Sequence, residues 1–337
     1  MNSPETPEQR AQRLARSRAA KQPSPLARRI SLLVVRLFAA LPLRPAQTIG
    51  GALGWLASWL PARERDTAAA NIALCFREQD ERWRRQLLRA HYVEAGRTFA
   101  ETCGIWTKPG EVYLSKVRRV EGLELLDAAR AAGEGVILLV PHLGNWEIAA
   151  NWCTSRFPVT GLYRPGDYAE IDTLMRESRQ QYMGHAVPTD ASGVRAMLKT
   201  LASGGTLFIL PDHEPDFSGG EFAPLFGVPA LTGVLTSKFV NGRHPARALM
   251  LYAKRLPAGE GWDVIFRETD PGLRNEDLMT SLSALNRSIE ALIRECPAQY
   301  QWTYKRFKRR PPGAPPVYAP SRKARASARE RARRQGS

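Results

Sequence analysis

The sequence predicts an α/β fold, with a central, mostly parallel sheet carrying helices on both faces and an apolar, membrane-anchoring helical segment ahead of it. Three observations lead there. Strand-like runs alternate with helical patterns through the middle of the chain, the sign of a sheet covered by crossover helices. Residues 135–140 are continuously apolar, as a strand buried on both faces must be. No internal repeat is present, so the 337 residues form one main domain with additions at its ends.

Taken in order, residues 1–29 are polar, basic and rich in Arg, Pro and Ser, and read as disordered. Residues 30–62 contain two apolar stretches. Arg36 interrupts the first, and the second runs 18 residues without a charge between Arg44 and Arg63. A spanning helix needs roughly 20 apolar residues, and Pro42, Pro45, Pro61 and the Gly50-Gly51 pair weaken a clean span further. The segment is read as a membrane anchor, inserted or lying in the interface, with its arginines on anionic headgroups. A pair of core-packing helices is the alternative, and Trp55 and Trp59 suit either. A secretory signal is not expected, since the apolar run starts late and no tidy small-residue cleavage site follows.

Residues 63–310 make the folded domain. Trp83, Leu87, Leu88, Tyr92, Ala95 and Phe99 recur at helical spacing and predict a helix over 80–106. Strands follow at 117–120, 135–140, 159–163, 206–210, 248–252 and 262–266. Helices are expected at 123–132 (closed by Gly133), 145–155, 171–182, 194–201 and 277–296. Residues 311–337 are Pro-rich, then basic and of low complexity, and read as a solvated tail.

Charge sits at the ends. Net charge is +16, yet residues 31–304 hold 30 basic and 30 acidic side chains. A neutral body argues against a nucleic-acid footprint, while basic arms suit anionic lipid or an acidic protein. Cys75, Cys103, Cys153 and Cys296 form no CxxC pair, so neither a zinc ribbon nor a disulfide framework is indicated.

The chemistry concentrates at Val140-Pro-His142-Leu-Gly144-Asn145-Trp146-Glu147. His142 lies just past the carboxyl end of a buried strand, where α/β sheets place ligands. Gly144 allows a tight turn, and Glu147 falls in the first turn of the next helix. A carboxylate folded back onto the imidazole would fix its tautomer and stabilise the imidazolium. Without an enzyme nucleophile alongside, such a pair would activate a substrate hydroxyl. The spacing alone equally fits a structural histidine beside a helix-capping glutamate. Asp212-His213-Glu214 are adjacent in a turn and poorly disposed to converge on one ion, so no metal is expected. No GxSxG elbow, Walker loop or dinucleotide glycine fingerprint occurs, and no cofactor is expected.

Pro141-His142-Leu-Gly-Asn-Trp-Glu147 resembles the HxxxxD/E motif of glycerolipid-type acyltransferases, in the form found in the bacterial lipid A biosynthesis (lauroyl/myristoyl) acyltransferases. Asn71-Ile-Ala-Leu-Cys75-Phe76 resembles that family's N-terminal signature, with Arg77 where a Pro is usual. Tyr163-Arg164-Pro165 resembles its tyrosine-arginine-proline segment. Leu210-Pro-Asp212-His213-Glu214 and Ala223-Pro-Leu-Phe-Gly227 resemble its aspartate turn and Pro-Phe-Phe-Gly block, and Tyr300-Gln-Trp302 through Phe307 its C-terminal signature. The resemblance covers about residues 30–310.

It implies an O-acyltransferase that moves a fatty acyl group from acyl carrier protein to a hydroxyl of a lipid A precursor, at the cytoplasmic face of the inner membrane. His142 would be the general base and Glu147 its orienting partner. Arg164 would bind an acceptor phosphate or polarise the donor, with a plain salt bridge as the alternative. Asn145 and the backbone near Gly144 would face a developing oxyanion, and Asp212 would contact substrate. Phe222 and Phe226 would line an acyl tunnel or pack in the core. The acidic carrier, lipid A phosphates and anionic inner-membrane lipids would all suit the basic ends. Another lipid or glycolipid acceptor is the runner-up, and a catalytically silent membrane scaffold the reading from a different class.

Overall fold

A computed structural model describes residues 24–163, 185–244 and 246–319. The helix expected over 171–182, Arg164 and most of both basic ends lie outside the described residues.

Two helices open the chain. Helix α1 (Pro25–Ala40) starts under a Ser24 cap, with Pro25 at a position where a missing N–H costs nothing. Helix α2 (Leu43–Ala57) follows after Pro42. Next come α3 (Arg63–Cys75) and α4 (Glu81–Ile105), the latter capped by Asp80, whose carboxylate accepts the Trp83 N–H at 2.7 Å. Glycines let α2 lie against α4 at backbone contact. A Cβ on Gly54 would stand 2.0 Å from the Tyr92 carbonyl oxygen, and one on Gly96 would stand 2.1 Å from that of Gly50. The outer sides are apolar and exposed: Leu26, Ile30, Leu33 and Leu37 on α1, Ile49, Leu53 and Leu56 on α2. These spacings (three and four residues) put each set on one stripe of its helix. One face of α2 therefore packs and another stays bare. No helix among the described residues is long and apolar enough to cross a membrane.

Beyond α5 (Gly110–Leu114) the chain builds the sheet. Its strands are β1 (Val117–Glu121), β2 (Gly135–Leu139), β3 (Val159–Tyr163), β4 (His185–Pro188), β5 (Thr206–Ile209), β8 (Ala246–Arg255) and β9 (Trp262–Glu268), in the order β1-β9-β8-β2-β5-β3-β4. All neighbours run parallel except β8 and β9. Period-two alternation divides β2 between two cores. Ile137 and Leu139 face one cluster with α8 (Ala191–Ala202) and α10 (Leu278–Glu295); Val136 and Leu138 face the other with α6 (Leu123–Ala131) and α7 (Trp146–Thr154).

The sequence patterns show no counterpart for α3, α5, β4 or the elements between β5 and β8. Strands β6 (Gly220–Leu225) and β7 (Val228–Gly233) form a hairpin outside the main sheet, turning through Phe226 and Gly227 at φ +49° and +69°. Positive φ at both central residues matches the right-handed twist of the strands, and Gly227 makes it cheap at one of them. A short helix, α9 (Leu235–Val240), follows. The hairpin is fixed to α10 by Asn286, which donates to the Pro224 carbonyl at 3.0 Å and the Thr232 hydroxyl at 2.9 Å.

Candidate active site

Strands β2 and β5 are parallel neighbours with Leu139 opposite Ile209. Each continues for three residues past that pair, through a proline, to reach His142 on one side and Asp212 on the other. Equal extension from paired positions brings the two side chains level at the carboxyl edge of the sheet. Nδ1 of His142 lies 2.9 Å from Oδ1 of Asp212, and the main-chain N–H of His142 donates to Oδ2 at 3.0 Å. Asp212 is buried, at 1% exposure, while the imidazole keeps 12%. Burial alone would raise the Asp212 carboxyl; the His142 charge and its hydrogen bonds outweigh that and hold the group well below the usual carboxylate range. An ionised Asp212 places the imidazole proton on Nδ1. Nε2 then carries the lone pair, and no described residue bonds to it.

The imidazole is also stacked. The His213 ring lies parallel to it, 3.9 Å away and inclined by 3°, and Tyr304 stacks on the far side of His213 at 3.8 Å. His213 bonds Oε1 of Gln301 through Nε2 at 3.1 Å. Burial first, then the charge of His142, pushes the His213 imidazole down to about 4, so this plate is uncharged near neutrality. Tyr300 completes the surround: burial, then the Asp212 charge, pushes its hydroxyl well above the ordinary value.

A strap holds the loop. Gln301 donates its main-chain N–H to the His142 carbonyl at 3.0 Å, and the Gly144 N–H donates to the Gln299 carbonyl at 3.0 Å. The Asn145 N–H donates to the Ala253 carbonyl at 2.9 Å. Gly144 has φ +64°, and a Cβ there would meet that same carbonyl at 2.1 Å. Glycine is required twice over, by conformation and by space. The main-chain donors expected to face an oxyanion are therefore spent inside the fold.

Asn145 caps α7 by accepting the Ile148 N–H at 3.2 Å, and its amide donates to Glu101 at 2.7 Å. Glu101 belongs to a buried network. Arg255, at the end of β8, meets it through two nitrogens at 2.5 and 2.7 Å, and meets Glu94 at 2.6 Å and the Thr98 hydroxyl at 2.6 Å. Gln47 of α2 donates to Glu101 at 2.6 Å, and Arg97 pairs with Glu94 at 2.5 Å. Two arginines balance two glutamates, the condition under which buried charge is tolerable.

Glu147 lies buried in the first turn of α7 and accepts the Trp106 indole N–H at 3.1 Å. The carboxylate on Nδ1 of His142, the position foreseen for Glu147, is that of Asp212; strand register, not sequence proximity, decides it. Asp212, His213 and Glu214 diverge: Glu214 turns away to accept the Arg309 main-chain N–H at 2.9 Å. Phe226 packs in the core against Phe76 at 5.3 Å, under the Arg294 guanidinium, while Phe222 is half-buried on β6. Asp212 as the partner of His142 was readable from one signal, the matching tetrads Leu139-Val-Pro-His142 and Ile209-Leu-Pro-Asp212 after two buried strands. Nothing comparable flags the His213–Tyr304 stack, which depends on a contact 91 positions apart.

Residues 16–309 match the family described as bacterial lipid A biosynthesis acyltransferase. The chain is 28% identical over 286 residues to a lipid A biosynthesis lauroyltransferase of Escherichia coli (strain K12), covering 85% of this chain and 92% of the relative. It is 26% identical to a lipid A biosynthesis acyltransferase of Haemophilus influenzae, over 84% and 90% of the two chains. With a lipid A biosynthesis palmitoleoyltransferase of Escherichia coli (strain K12) it shares 24% identity over 85% and 92%.

Proposed function

The chain belongs to the bacterial lipid A biosynthesis acyltransferase family, and from that premise we propose that it transfers a fatty acyl group from acyl carrier protein to a hydroxyl of a lipid A precursor. The observation that carries this reading is the Nε2 of His142, which no described residue bonds, backed by Asp212 on Nδ1. The acceptor O–H gives its proton to Nε2 as the oxygen attacks the thioester carbon. The carbon–sulfur bond then breaks, and the carrier thiolate leaves with the proton returned from Nε2. Asp212 stabilises the imidazolium in between, and Glu147, in the first turn of α7, is proposed to contribute to the same site. The thioester supplies the activation, and no further group is needed to balance the step. Arg164 is proposed as a contact to phosphate or donor, and Phe222 as a wall for the acyl chain.

The bare stripes on α1 and α2 support a membrane position, lying in the plane of the cytoplasmic leaflet of the inner membrane, where a half-exposed apolar helix is stable. Anionic lipids would meet the basic ends.

Mass spectrometry of lipid A from cells lacking the protein tests the whole reading. Loss of one secondary acyl chain, restored by the wild-type chain but not by His142→Ala, is expected. Unchanged lipid A would move the activity to another lipid or glycolipid acceptor.

A further inference from the structure

A cleft of about 740 Å³ opens beside the active site, between the start of α3 and the segment after Trp302. The Tyr304 ring is one of its walls, and the same ring stacks on His213, which stacks on His142. The cleft is thus joined to the proposed base through the stacked rings of Tyr304 and His213.

The charges in the cleft are unbalanced. Arg63, Lys305, Lys308 and Arg309 line it, with Glu214 and Asp216. Arg309 pairs with Asp216 at 3.2 Å, and its main-chain N–H occupies Glu214. Arg63, Lys305 and Lys308 make no ion pair among the described residues. The buried Arg306 guanidinium bonds the Leu231 carbonyl and the Thr232 hydroxyl, and its charge already acts on Glu214. Three cations without an ion-pair partner among the described residues, in one concavity, ask for an anion. A phosphate monoester carries nearly two negative charges at neutral pH and three acceptor oxygens; a phosphodiester carries one charge, and a protein helix would not enter so small a space.

We propose that this cleft binds a phosphate monoester on the acyl acceptor through Arg63, Lys305 and Lys308, and so sets which acceptor hydroxyl reaches His142. The inference rests on the acyltransferase reading, and deepens it by assigning a headgroup subsite.

The test uses the full-length chain and its Arg63→Gln, Lys305→Gln, Lys308→Gln and Lys308→Arg variants. Transfer is measured at saturating acyl-carrier-protein donor, with a phosphorylated lipid A disaccharide precursor and with the same glycolipid after phosphatase treatment. Each Gln variant should raise KM for the phosphorylated acceptor about tenfold, leave kcat and the donor KM near wild type, and leave the dephosphorylated acceptor unaffected. Lys308→Arg should behave as wild type. Equilibrium binding of the two glycolipids without donor gives the same comparison free of turnover: absence of transfer to any acceptor would defeat the acyltransferase reading alone, while the binding ratio still judges the cleft. An equal loss with both acceptors, or a rise confined to the donor KM, would overturn the proposal. So would competition by acceptor-free anionic phospholipid vesicles that the Gln variants abolish, since the cleft would then hold a membrane headgroup.

Discussion

His142 and Asp212 face each other because β2 and β5 pair Leu139 with Ile209 and then run on for the same number of residues. The contact is a consequence of parallel register: 70 residues apart in sequence, the two side chains are level in space. A one-residue deletion in either extension would separate them, however well the strands themselves formed.

Asp212→Asn is the sharpest probe of this pair. An asparagine amide can donate to Nδ1, which would transfer the imidazole proton to Nε2 and remove the lone pair needed for base catalysis. The rate of acyl transfer should fall by roughly two to four orders of magnitude, the usual worth of a positioned general base, with acceptor KM little changed. His142→Ala should fall as far, and the double variant no further, because both disable one device. Additive losses, or near-normal turnover in folded Asp212→Asn, would detach Asp212 from the chemistry.

Much of this was written in local pattern. The buried run at β2, the amphipathic spacing of α4 and the His-Gly-Asn-Trp-Glu cluster depend on neighbours within one or two turns, and sequence periodicity reports them directly. The hairpin β6–β7 did not show, because Pro224 and Pro229 sit in its strands and disguise an edge ribbon as loop. The identity of the carboxylate on Nδ1 shows only in the matching tetrads that end in His142 and Asp212. Proximity along the chain pointed to Glu147, and only the sheet order makes residue 212 nearer in effect than residue 147.

The Arg255–Glu101 network predicts a large cost for a small change. Glu101→Ala would strip Arg255 of its bidentate partner and leave the amides of Gln47 and Asn145 without acceptors, all buried. Removing one member of a buried pair costs about 3–5 kcal/mol. Urea unfolding should show a loss of that order, and turnover should fall as well, because Asn145 anchors the loop that carries His142. A loss under about 1 kcal/mol, typical of exposed ion pairs, would mean that water reaches the network.

Two glycines of α2 separate packing from propensity. Alanine in a helix gains about 1 kcal/mol over glycine, which favours both Gly51→Ala and Gly54→Ala before packing is considered. At Gly51 the nearest atom is in the Arg97 side chain at 3.1 Å, which can swing aside; at Gly54 it is the Tyr92 carbonyl oxygen at 2.0 Å, which cannot. Gly51→Ala should leave the melting temperature level or slightly raised. Gly54→Ala should be destabilising by roughly 1–3 kcal/mol, the cost of overpacking. Similar melting temperatures for the two would show that α2 is loosely held.

Since α2 supplies Gln47 to a buried network, deleting it to test membrane binding would damage the fold. Leu53→Lys with Leu56→Lys changes only the bare stripe. Burying a leucine is worth about 1.5–3 kcal/mol, so the pair should weaken binding to anionic vesicles by well over tenfold while the melting temperature in detergent holds. Undiminished binding would place the membrane contact elsewhere on the chain.

Stability should also fall on mild acidification, and two histidines specify the window. Burial pushes His91 down to about 4, against the pull of the neighbouring Ala298 and Tyr300 backbone and of Glu94; burial and the His142 charge take His213 to about 4. An unfolded chain protonates both near the ordinary value of about 6.5. Between those limits the unfolded state binds protons that the fold refuses, so their contribution is intact above pH 6.5 and is lost as pH falls toward 4. Each histidine adds up to about 1.4 kcal/mol per pH unit to the slope. Asp212, also depressed, acts lower: its contribution falls only as the unfolded carboxyl protonates near its ordinary value of about 3.9, and is lost on the way down to the folded value. Denaturant unfolding at pH 7, 6 and 5 should therefore give a slope of up to two protons in the wild type. His91→Gln should remove about one of them, whatever its effect on stability at pH 7. A slope unchanged by that substitution would mean that His91 is protonated, and partnered, inside the folded chain.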